Sequence, residues 1–461
     1  MENPVNRLIQ NILEQFVKPS EDFRHIGITR SVSTLIRVHS EKLDLLGEIS
    51  FPSKPEIWFN YFKDSRQKLN ENIFHILKPN DFGSDEQKLH FLQVAATWDL
   101  PVERLILNPE RYHVYLKRTG IIKQTISHIL TDKNYGQLKK LEKRYVYIEP
   151  LKEDTRVLQD LSLYRSKLLY NALENVIRYS GWIKVNDLSF KQCLHLKVES
   201  VRAKDIQGLQ GNAVVAKCGL VVDPLSNGGL CKMPATEYLS LRSNDMYLMA
   251  QHKYGVRVKQ DARFCALMKR LGSAAVTVDL LEVKHTSPVK IIRCGQSRSK
   301  GASFIFYNSA RLESLLRSFD ERVANGDYES LPPLNSVNWE LLSEETLSLS
   351  KGNTGFLFQV QRDALSKEWQ LVFVYLTGFP DLVERCLDQL ERGLCAIHLI
   401  IRFLHNMVGV FSIYYRRTRI LTEKRDHLMP TLYAHIYLIK AVREILNKTL
   451  LLLDIEPAEF M

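Results

Sequence analysis

The stretch Leu394-Cys-Ala-Ile-His-Leu-Ile-Ile-Arg-Phe-Leu-His-Asn-Met-Val-Gly-Val-Phe-Ser-Ile-Tyr-Tyr415 is apolar on nearly every side when it is wound as an α-helix. Its length would suit a membrane span, but four polar residues interrupt it: His398, Arg402, His405 and Asn406. Because a charge at that depth of a bilayer is costly, we expect a buried helix of a soluble protein instead. A helix that is apolar all round is typical of the centre of a bundle.

Further helices are expected on both sides of this central segment. Apolar residues at helical spacing predict helices over 304–323, 380–391, 394–416 and 428–453, and Leu331-Pro-Pro333 begins a loop. We therefore expect residues 301–461 to form an all-α helical bundle.

An α/β unit is expected upstream of the bundle. Tyr145-Val-Tyr-Ile148 has the pattern of a short buried strand, and Leu161 to Tyr179 repeats apolar residues at helical spacing until Gly181 ends the helix. Alternating residues over 195–222 predict further strands. Together these favour a Rossmann-type domain over 141–300, a pattern that alone is weak support for nucleotide binding. Residues 1–140 mix helical and β-like stretches, and their fold stays uncertain.

The positive charge of the chain is unevenly distributed. The formal net charge is +11, but residues 301–461 hold 17 basic and 20 acidic residues, a net of −3, which leaves +14 for residues 1–300. Residues 251–300 alone hold 11 basic and 3 acidic residues. This excess favours a polyanionic partner, although a merely solvated basic surface is the alternative. The candidate basic surface comprises Lys290, Arg293, Arg298 and Lys300.

Cysteines and targeting signals point to a cytoplasmic protein. Seven cysteines are scattered without CxxC spacing or accompanying histidines, so we expect reduced thiols and neither a disulfide framework nor a metal site. The first residues carry Glu2 and Glu14 and lack a continuous apolar core, which excludes a secretory signal. No cofactor motif is present, and we expect no cofactor.

Four blocks in residues 301–461 resemble the DALR anticodon-binding domain that closes class I arginyl-tRNA synthetases. They occur in the family's order and spacing. The blocks are Phe304-Ile-Phe-Tyr307-Asn-Ser-Ala310-Arg311-Leu-Glu-Ser-Leu-Leu316, Gly378-Phe-Pro-Asp-Leu-Val383, Phe411-Ser-Ile-Tyr-Tyr415, and Ala441-Val-Arg-Glu-Ile-Leu446 with its continuation Leu453-Asp-Ile-Glu-Pro-Ala-Glu-Phe-Met461.

The same comparison shows what the chain lacks. In the synthetases, the helix after the first strand begins His-x-Gly-His-Leu-Arg-Ser, and its histidines contact the ATP phosphates. The aligned residues here are Asp160-Leu-Ser-Leu-Tyr-Arg-Ser166, which keep the Arg-Ser and lose both histidines and the glycine. His25-Ile-Gly-Ile28 lacks a second histidine, and Ser297-Arg-Ser-Lys300 abuts the anticodon domain, so neither replaces a synthetase motif.

Over nearly the whole chain, this combination is similar to the DALR anticodon-binding domain-containing protein 3 family. The resemblance implies a non-catalytic tRNA-binding protein that recognises arginine tRNAs and presents them to a methyltransferase-like enzyme making 3-methylcytidine at position 32. No membrane partner is implied. The alternatives are an active, ATP-dependent arginyl-tRNA synthetase, and a scaffold that kept the fold and lost RNA binding.

The resemblance also implies which residues contact the anticodon. Carried over by position, the base pocket comprises Phe304, Tyr307, Tyr415 and Met461, and the cations expected on stem phosphates are Arg416, Arg417, Arg419, Lys424 and Arg425. Arg311 and Tyr414 are further candidates. Arg311 could instead tie the bundle together, and Phe304 and Tyr307 could be core residues. Because Tyr414 and Tyr415 lie about 100° apart on a helix, only one of them can face the groove.

Overall fold

The N-terminal region forms a four-stranded antiparallel sheet in the computed structural model, which describes residues 1–16, 35–61, 72–76, 84–151, 155–201, 213–226, 229–254, 262–291, 300–342 and 366–457. The strand order is β1-β2-β4-β3. The elements are α1 (Pro4–Phe16), β1 (Arg37–Val38), α2 (Leu43–Leu46), β2 (Ile49–Pro52), α3 (Ser84–Ala95), β3 (Val102–Leu107), β4 (Arg111–Leu116) and α4 (Arg118–Thr131).

Aromatic side chains hold this sheet against its helices. Phe16, the last residue of α1, lies 5.4 Å from Phe51, 5.2 Å from Trp58 and 5.9 Å from Phe91 between ring centroids. All four side chains are buried, and aromatic pairs at such separations add to the stability of their burial. Sequence periodicity left the fold of this region open because its strands are short and widely spaced.

A parallel sheet follows, as the sequence predicts. Its strands are β5 (Tyr145–Ile148), β6 (Ile183–Lys184), β7 (Cys193–Ser200) and β8 (Val214–Cys218), in the order β6-β5-β7-β8. The helix after β5, α5 (Leu161–Tyr179), has the predicted bounds. A separate parallel pair joins β9 (Val221–Val222) to β10 (Val289–Lys290). The fold class of a Rossmann-type α/β body is confirmed.

Two long helices, α6 (Ala235–Tyr254) and α7 (Ala262–Leu281), pack side by side, and α7 also packs on α5. Gly272 permits their close approach, because a Cβ there would lie 2.3 Å from the Ser243 hydroxyl oxygen. Buried Arg242 joins them through Asp279, 2.8 Å away, and also contacts Asp245 at 2.6 Å.

The C-terminal part is the predicted helical bundle. Its elements are α8 (Lys300–Ala324), a π-helical turn (Leu371–Thr377), α9 (Phe379–Cys386), α10 (His398–Arg417) and α11 (Met429–Leu452). The central helix, α10, contacts α8, α9 and α11. The helix predicted over 380–391 is shorter in the structure: it ends at Cys386, and a 3-10 turn follows at Leu390–Arg392. No helix in the described ranges is long and apolar enough to cross a membrane.

The bundle is joined to the rest of the chain by buried polar contacts. The Lys448 ammonium of α11 donates to the carbonyl oxygens of Lys133, at 2.9 Å, and Tyr135, at 3.2 Å. Asn3 donates to the Glu384 carboxylate of α9 at 2.8 Å. The N-terminal region therefore packs directly on the bundle.

Candidate nucleic-acid interface

A groove of about 470 Å³ lies between α8 and the C-terminal end of α10. The side of α8 that faces it carries residues at helical spacing, and the segment after α10 closes its other side. The lining residues are Tyr307, Ala310, Arg311, Ser314, Leu315, Ser318, Tyr415, Thr418, Arg419, Ile420 and Leu421. The structure thus brings together four of the residues singled out from sequence: Tyr307, Arg311, Tyr415 and Arg419.

Arg311 is the central side chain of this groove. Its guanidinium carbon lies 4.5 Å from the ring centroid of Tyr307 and 4.7 Å from that of Tyr415. It also donates a 2.6 Å hydrogen bond to the Tyr307 hydroxyl. In the described part of the chain no carboxylate lies within 4.0 Å of Arg311, so its described contacts are cation–π and hydrogen-bonding contacts. The alternative weighed from sequence, that Arg311 ties the bundle together, is compatible with these contacts, because Arg311 of α8 meets Tyr415 of α10.

The basic rim of the groove is fixed to the end of α8. Arg416, Arg417 and Arg419 are exposed, at or just after the end of α10. Beyond them, the Thr422 carbonyl oxygen accepts hydrogen bonds from the Tyr328 hydroxyl and, at 3.4 Å, from Arg322. This contact ties the segment that carries the following basic residues to the end of α8.

The remaining rim cations are exposed. Lys424 donates to the Gly326 carbonyl oxygen at 3.4 Å, and Arg425 pairs with Glu423 at 2.7 Å. Exposed pairs of this kind are weak, so these cations stay accessible to a ligand.

Tyr414 and Phe304 lie outside the groove. Of the two adjacent tyrosines, Tyr415 lines the groove, whereas Tyr414 is fully buried and packs edge-on to His435 at 6.2 Å. Burial raises the pKa of Tyr414 well above its usual range, and nearby Glu368 acts in the same direction. The inclusion of Tyr414 among RNA-contacting residues is therefore corrected: its side chain belongs to the bundle core. Phe304 is half-buried and packs against that core, the alternative weighed from sequence.

Several residues singled out from sequence lie outside the described residues. These are Met461, Arg293 and Arg298, the side chain of Lys300, and the segments His25–Ile28 and Ser297–Ser299. Of the candidate basic surface, Lys290 is described, and it is exposed on β10.

The start of α5 is the position where the synthetase signature would stand. Its N-cap is Asp160, whose carboxylate accepts hydrogen bonds from the backbone N–H groups of Ser162, at 2.8 Å, and Leu163, at 3.3 Å. These donors at a helix N-terminus are the groups that bind phosphates in nucleotide sites. Here a negatively charged side chain of the protein already uses them.

The surviving Arg-Ser pair of this helix has a structural role. Arg165 is fully buried, and its acceptors among the described residues are backbone carbonyl oxygens, those of Leu280 at 2.8 Å, Gly219 at 2.9 Å, Ser287 at 2.7 Å and Lys284 at 3.3 Å. Ser166 donates to the Ser162 carbonyl oxygen at 3.1 Å. Arg165 therefore ties α5 to the chain around β9 and to the segment after α7.

The comparison with known families decides the nature of the bundle. The sequence model of the DALR anticodon binding domain matches residues 305–461. Residues 305–461 form a DALR anticodon-binding domain. The groove between α8 and α10 lies within this DALR domain.

Relatives and folds agree with this assignment. The chain is 27% identical over 249 residues to DALR anticodon-binding domain-containing protein 3 of Danio rerio, which covers 52% of this chain and 40% of that protein. The match to the Rattus norvegicus protein of that name is 26% over 246 residues, covering 52% of this chain and 42% of that protein. The chain thus spans about two fifths of the length of the curated relatives it matches.

Arginyl-tRNA synthetases share the fold of the whole chain. The structure of the Plasmodium falciparum enzyme aligns with a TM-score of 0.57 and 10% identity over 100% of both chains. That of the Thermus thermophilus enzyme aligns with a TM-score of 0.53 and 10% identity over 99% of both. At this identity the likeness concerns the fold alone.

Sequence reasoning missed the two serines of the groove and the tie between α8 and the basic rim. Ser314 and Ser318 follow Tyr307 and Arg311 at helical spacing, so a helical projection of 304–323 identifies them. The Tyr328–Thr422 contact joins two loops and has no periodic signal that could have revealed it.

Proposed function

We propose that this chain binds tRNA through the groove of its DALR domain and does not aminoacylate it. The observation that carries the proposal is the Arg311 guanidinium held between the Tyr307 and Tyr415 rings in a groove bordered by exposed arginines. Unpaired loop bases can stack on such rings and on guanidinium planes, and they can be hydrogen-bonded along their exposed edges.

The rim and the groove have different tasks in this proposal. Arg416, Arg417 and Arg419 are exposed cations, suited to the phosphates that flank the anticodon loop. Tyr307, Arg311 and Tyr415 offer planar surfaces and donors, which suit bases. Phosphate contacts hold any RNA, whereas base contacts select one, so selectivity rests on the groove. Met461 is proposed to complete the base pocket, and Lys290, Arg293, Arg298 and Lys300 to extend the basic surface.

Two features of α5 support the absence of catalysis. The helix lacks both histidines of the synthetase signature, and the Asp160 carboxylate occupies the N–H groups that would meet ATP phosphates. A carboxylate at this position repels phosphate oxygens and already binds two of the N–H groups at the helix N-terminus. Arg165, the one cation kept from the signature, is buried and bound to carbonyl groups.

The finer assignment rests on the family resemblance. We propose that the selected tRNAs are arginine isoacceptors in the cytoplasm, and that the bound tRNA is presented to a methyltransferase-like enzyme that forms 3-methylcytidine at position 32. We also propose that residues 1–140, 141–300 and 301–461 are the three domains of this accessory protein.

Two measurements on the purified chain test the proposal. Arginine-dependent ATP–pyrophosphate exchange is expected to be absent, and arginine tRNA is expected to bind more tightly than an unrelated tRNA at equal salt. Robust exchange would favour the active arginyl-tRNA synthetase instead. Equal and weak binding of all tRNAs would favour a scaffold that has lost recognition.

A further inference from the structure

The exposed side of α10 carries a second polar surface, on a different face of the helix from Tyr415. Its residues follow one another at helical spacing from the start of the helix, and we name them the α10 stripe: His398, Arg402, Asn406, Gly409 and Ile413. Arg402 and Asn406 are exposed. The twenty residues of α10 include no aspartate or glutamate, so nothing acidic on this helix offsets its cations.

Cations gather at the N-terminal end of the stripe. Lys284, His398 and Arg402 border a cavity of about 1100 Å³ between α1, α9 and α10. Burial lowers the pKa of His398, and the neighbouring charges of Lys284 and Arg402 lower it further. The charge at neutral pH is therefore carried by Lys284 and Arg402, both exposed. Within the described ranges neither has a carboxylate oxygen within 4.0 Å, and the buried Nδ1 atom of His398 has no hydrogen-bond partner.

Three acidic residues also border the cavity: Glu384 and Asp381, which are bound by neighbouring side chains, and Asp388, which is exposed. Glu384 accepts hydrogen bonds from Asn3, at 2.8 Å, and from Asn6. Asp381 pairs with Arg385 at 3.6 Å and accepts from Asn3 at 3.3 Å. Lys284 and Arg402 are exposed and lie more than 4.0 Å from any described carboxylate oxygen, so both can contact a ligand from outside the described chain.

No packing contact within the described residues requires a glycine at Gly409, in the middle of the stripe. Gly409 lies inside a helix, where glycine is about 0.5–1 kcal/mol less stable than alanine. No described atom lies within 4 Å of the place where its Cβ would stand, and its φ is not in the left-handed region. Because no described contact requires the absence of a side chain here, the close approach of a ligand backbone is a physical reason for a glycine at this position.

We propose that the α10 stripe, with Lys284, binds the phosphate backbone of tRNA outside the anticodon loop, an inference that rests on the proposed function. Arg402 and Tyr415 lie about 20 Å apart along the helix, at 1.5 Å per residue. That separation exceeds the reach of one base pocket, so the two sites contact different parts of the tRNA. The unpaired cations, the accessible glycine and the absence of acidic residues from α10 fit a phosphate backbone and not an acidic or apolar protein surface.

The test uses the full chain and two RNAs, a full-length arginine tRNA and its isolated anticodon stem-loop. Replacing Lys284 and Arg402 together with alanine is expected to lower affinity for the full-length tRNA about tenfold and the salt slope by about 2, as for two lost phosphate contacts. Affinity for the stem-loop is expected to stay unchanged. The charge-matched control is Lys123→Ala with Lys133→Ala, two exposed lysines that border neither the groove nor the cavity.

Gly409→Glu separates binding from folding. Glutamate is the better helix former, so the variant is expected to be at least as stable as the parent while it loses affinity for full-length tRNA alone. Unchanged affinity of both variants for full-length tRNA, or an equal loss for both RNAs, would overturn the inference and leave the anticodon groove untouched. If the parent chain binds neither RNA, the proposed function itself fails.

Discussion

The guanidinium carbon of Arg311 lies 4.7 Å from the ring centroid of Tyr415, which makes this pair the contact that joins α8 to α10 inside the groove. The same guanidinium group also meets the ring and the hydroxyl of Tyr307, so one side chain orients both aromatic surfaces. A base that enters the groove therefore meets a planar cation and two rings whose positions depend on one another.

Replacing Arg311 with lysine should weaken selective binding although the charge is kept. Lysine cannot offer a planar surface to both tyrosine rings, and a cation–π contact at an exposed site contributes about 0.5–1 kcal/mol. We expect a loss of about 2- to 5-fold per contact in affinity for the arginine tRNA, with little change for an unrelated tRNA. Equilibrium binding of both tRNAs at the same salt checks this. An equal loss for both would mean that Arg311 contacts phosphates.

Replacing Tyr307 with alanine should remove a stacking surface from the groove. Stacking of a base on an aromatic side chain is worth about 1–3 kcal/mol, so we expect a loss of about 5- to 150-fold for the arginine tRNA and nearly unchanged background binding. Tyr307→Phe keeps the ring and removes only the hydroxyl that accepts from Arg311. A folded Tyr307→Ala protein with normal binding would make Tyr307 a bystander.

Sequence periodicity predicted the elements whose apolar faces are continuous. The bounds of α5 and β5 coincide with the prediction, and those of α10 and α11 differ from it by a few residues at most. The helix predicted over 380–391 was too long, since the chain turns at Leu387 and again at Gly393, where φ is +70°. Short strands such as Arg37–Val38 carry too few residues for an alternating pattern, so the N-terminal sheet could not be predicted.

The groove was predictable in part for a physical reason. Tyr307 and Arg311 are four residues apart on one helix, so their proximity follows from helix geometry. The contact of Arg311 with Tyr415 depends on how α8 and α10 pack, which one sequence does not reveal. Which of Tyr414 and Tyr415 faces the groove also depends on the packing of the core, where Tyr414 packs on His435.

Tyr328→Phe should weaken binding of every tRNA alike, because the Tyr328 hydroxyl holds the Thr422 carbonyl and hence the basic rim. One hydrogen bond contributes about 0.5–1.5 kcal/mol, which sets an upper limit of about tenfold for the loss. Faster amide exchange over residues 418–428 is the direct readout. The control is Tyr433→Phe, whose hydroxyl makes no hydrogen bond with a described residue. Unchanged tRNA binding by Tyr328→Phe, together with slow amide exchange over residues 418–428, would contradict the anchoring role of Tyr328.

His39 should make the N-terminal region sensitive to acid. Burial lowers the pKa of His39 from 6.5 to about 4, with contributions from His113, Arg111 and Arg37. As the pH falls from 6.5 to about 4, the unfolded chain takes up a proton that the folded chain refuses, so stability decreases over this window. His39→Gln should flatten that decrease, measured by denaturant unfolding at several pH values. An unchanged slope would remove His39 as its source.

We expect Asp160 to stabilise α5 and not to block a functional ATP site. Its carboxylate caps two N–H groups of the helix, and loss of such a cap costs about 1 kcal/mol, so Asp160→Ala should lower stability by about that amount. Asp160→Asn keeps an acceptor oxygen and removes the charge, so it should cost only a few tenths of a kcal/mol.

Exchange assays on the same two variants address catalysis. If the carboxylate alone blocked ATP, its removal would uncover arginine-dependent pyrophosphate exchange. We expect neither variant to gain that activity, because the phosphate-contacting imidazoles are also missing from this helix and Arg165 is held by four backbone carbonyl groups. Exchange by Asp160→Asn but not by the parent chain would instead identify Asp160 as an inhibitory cap on a latent synthetase site.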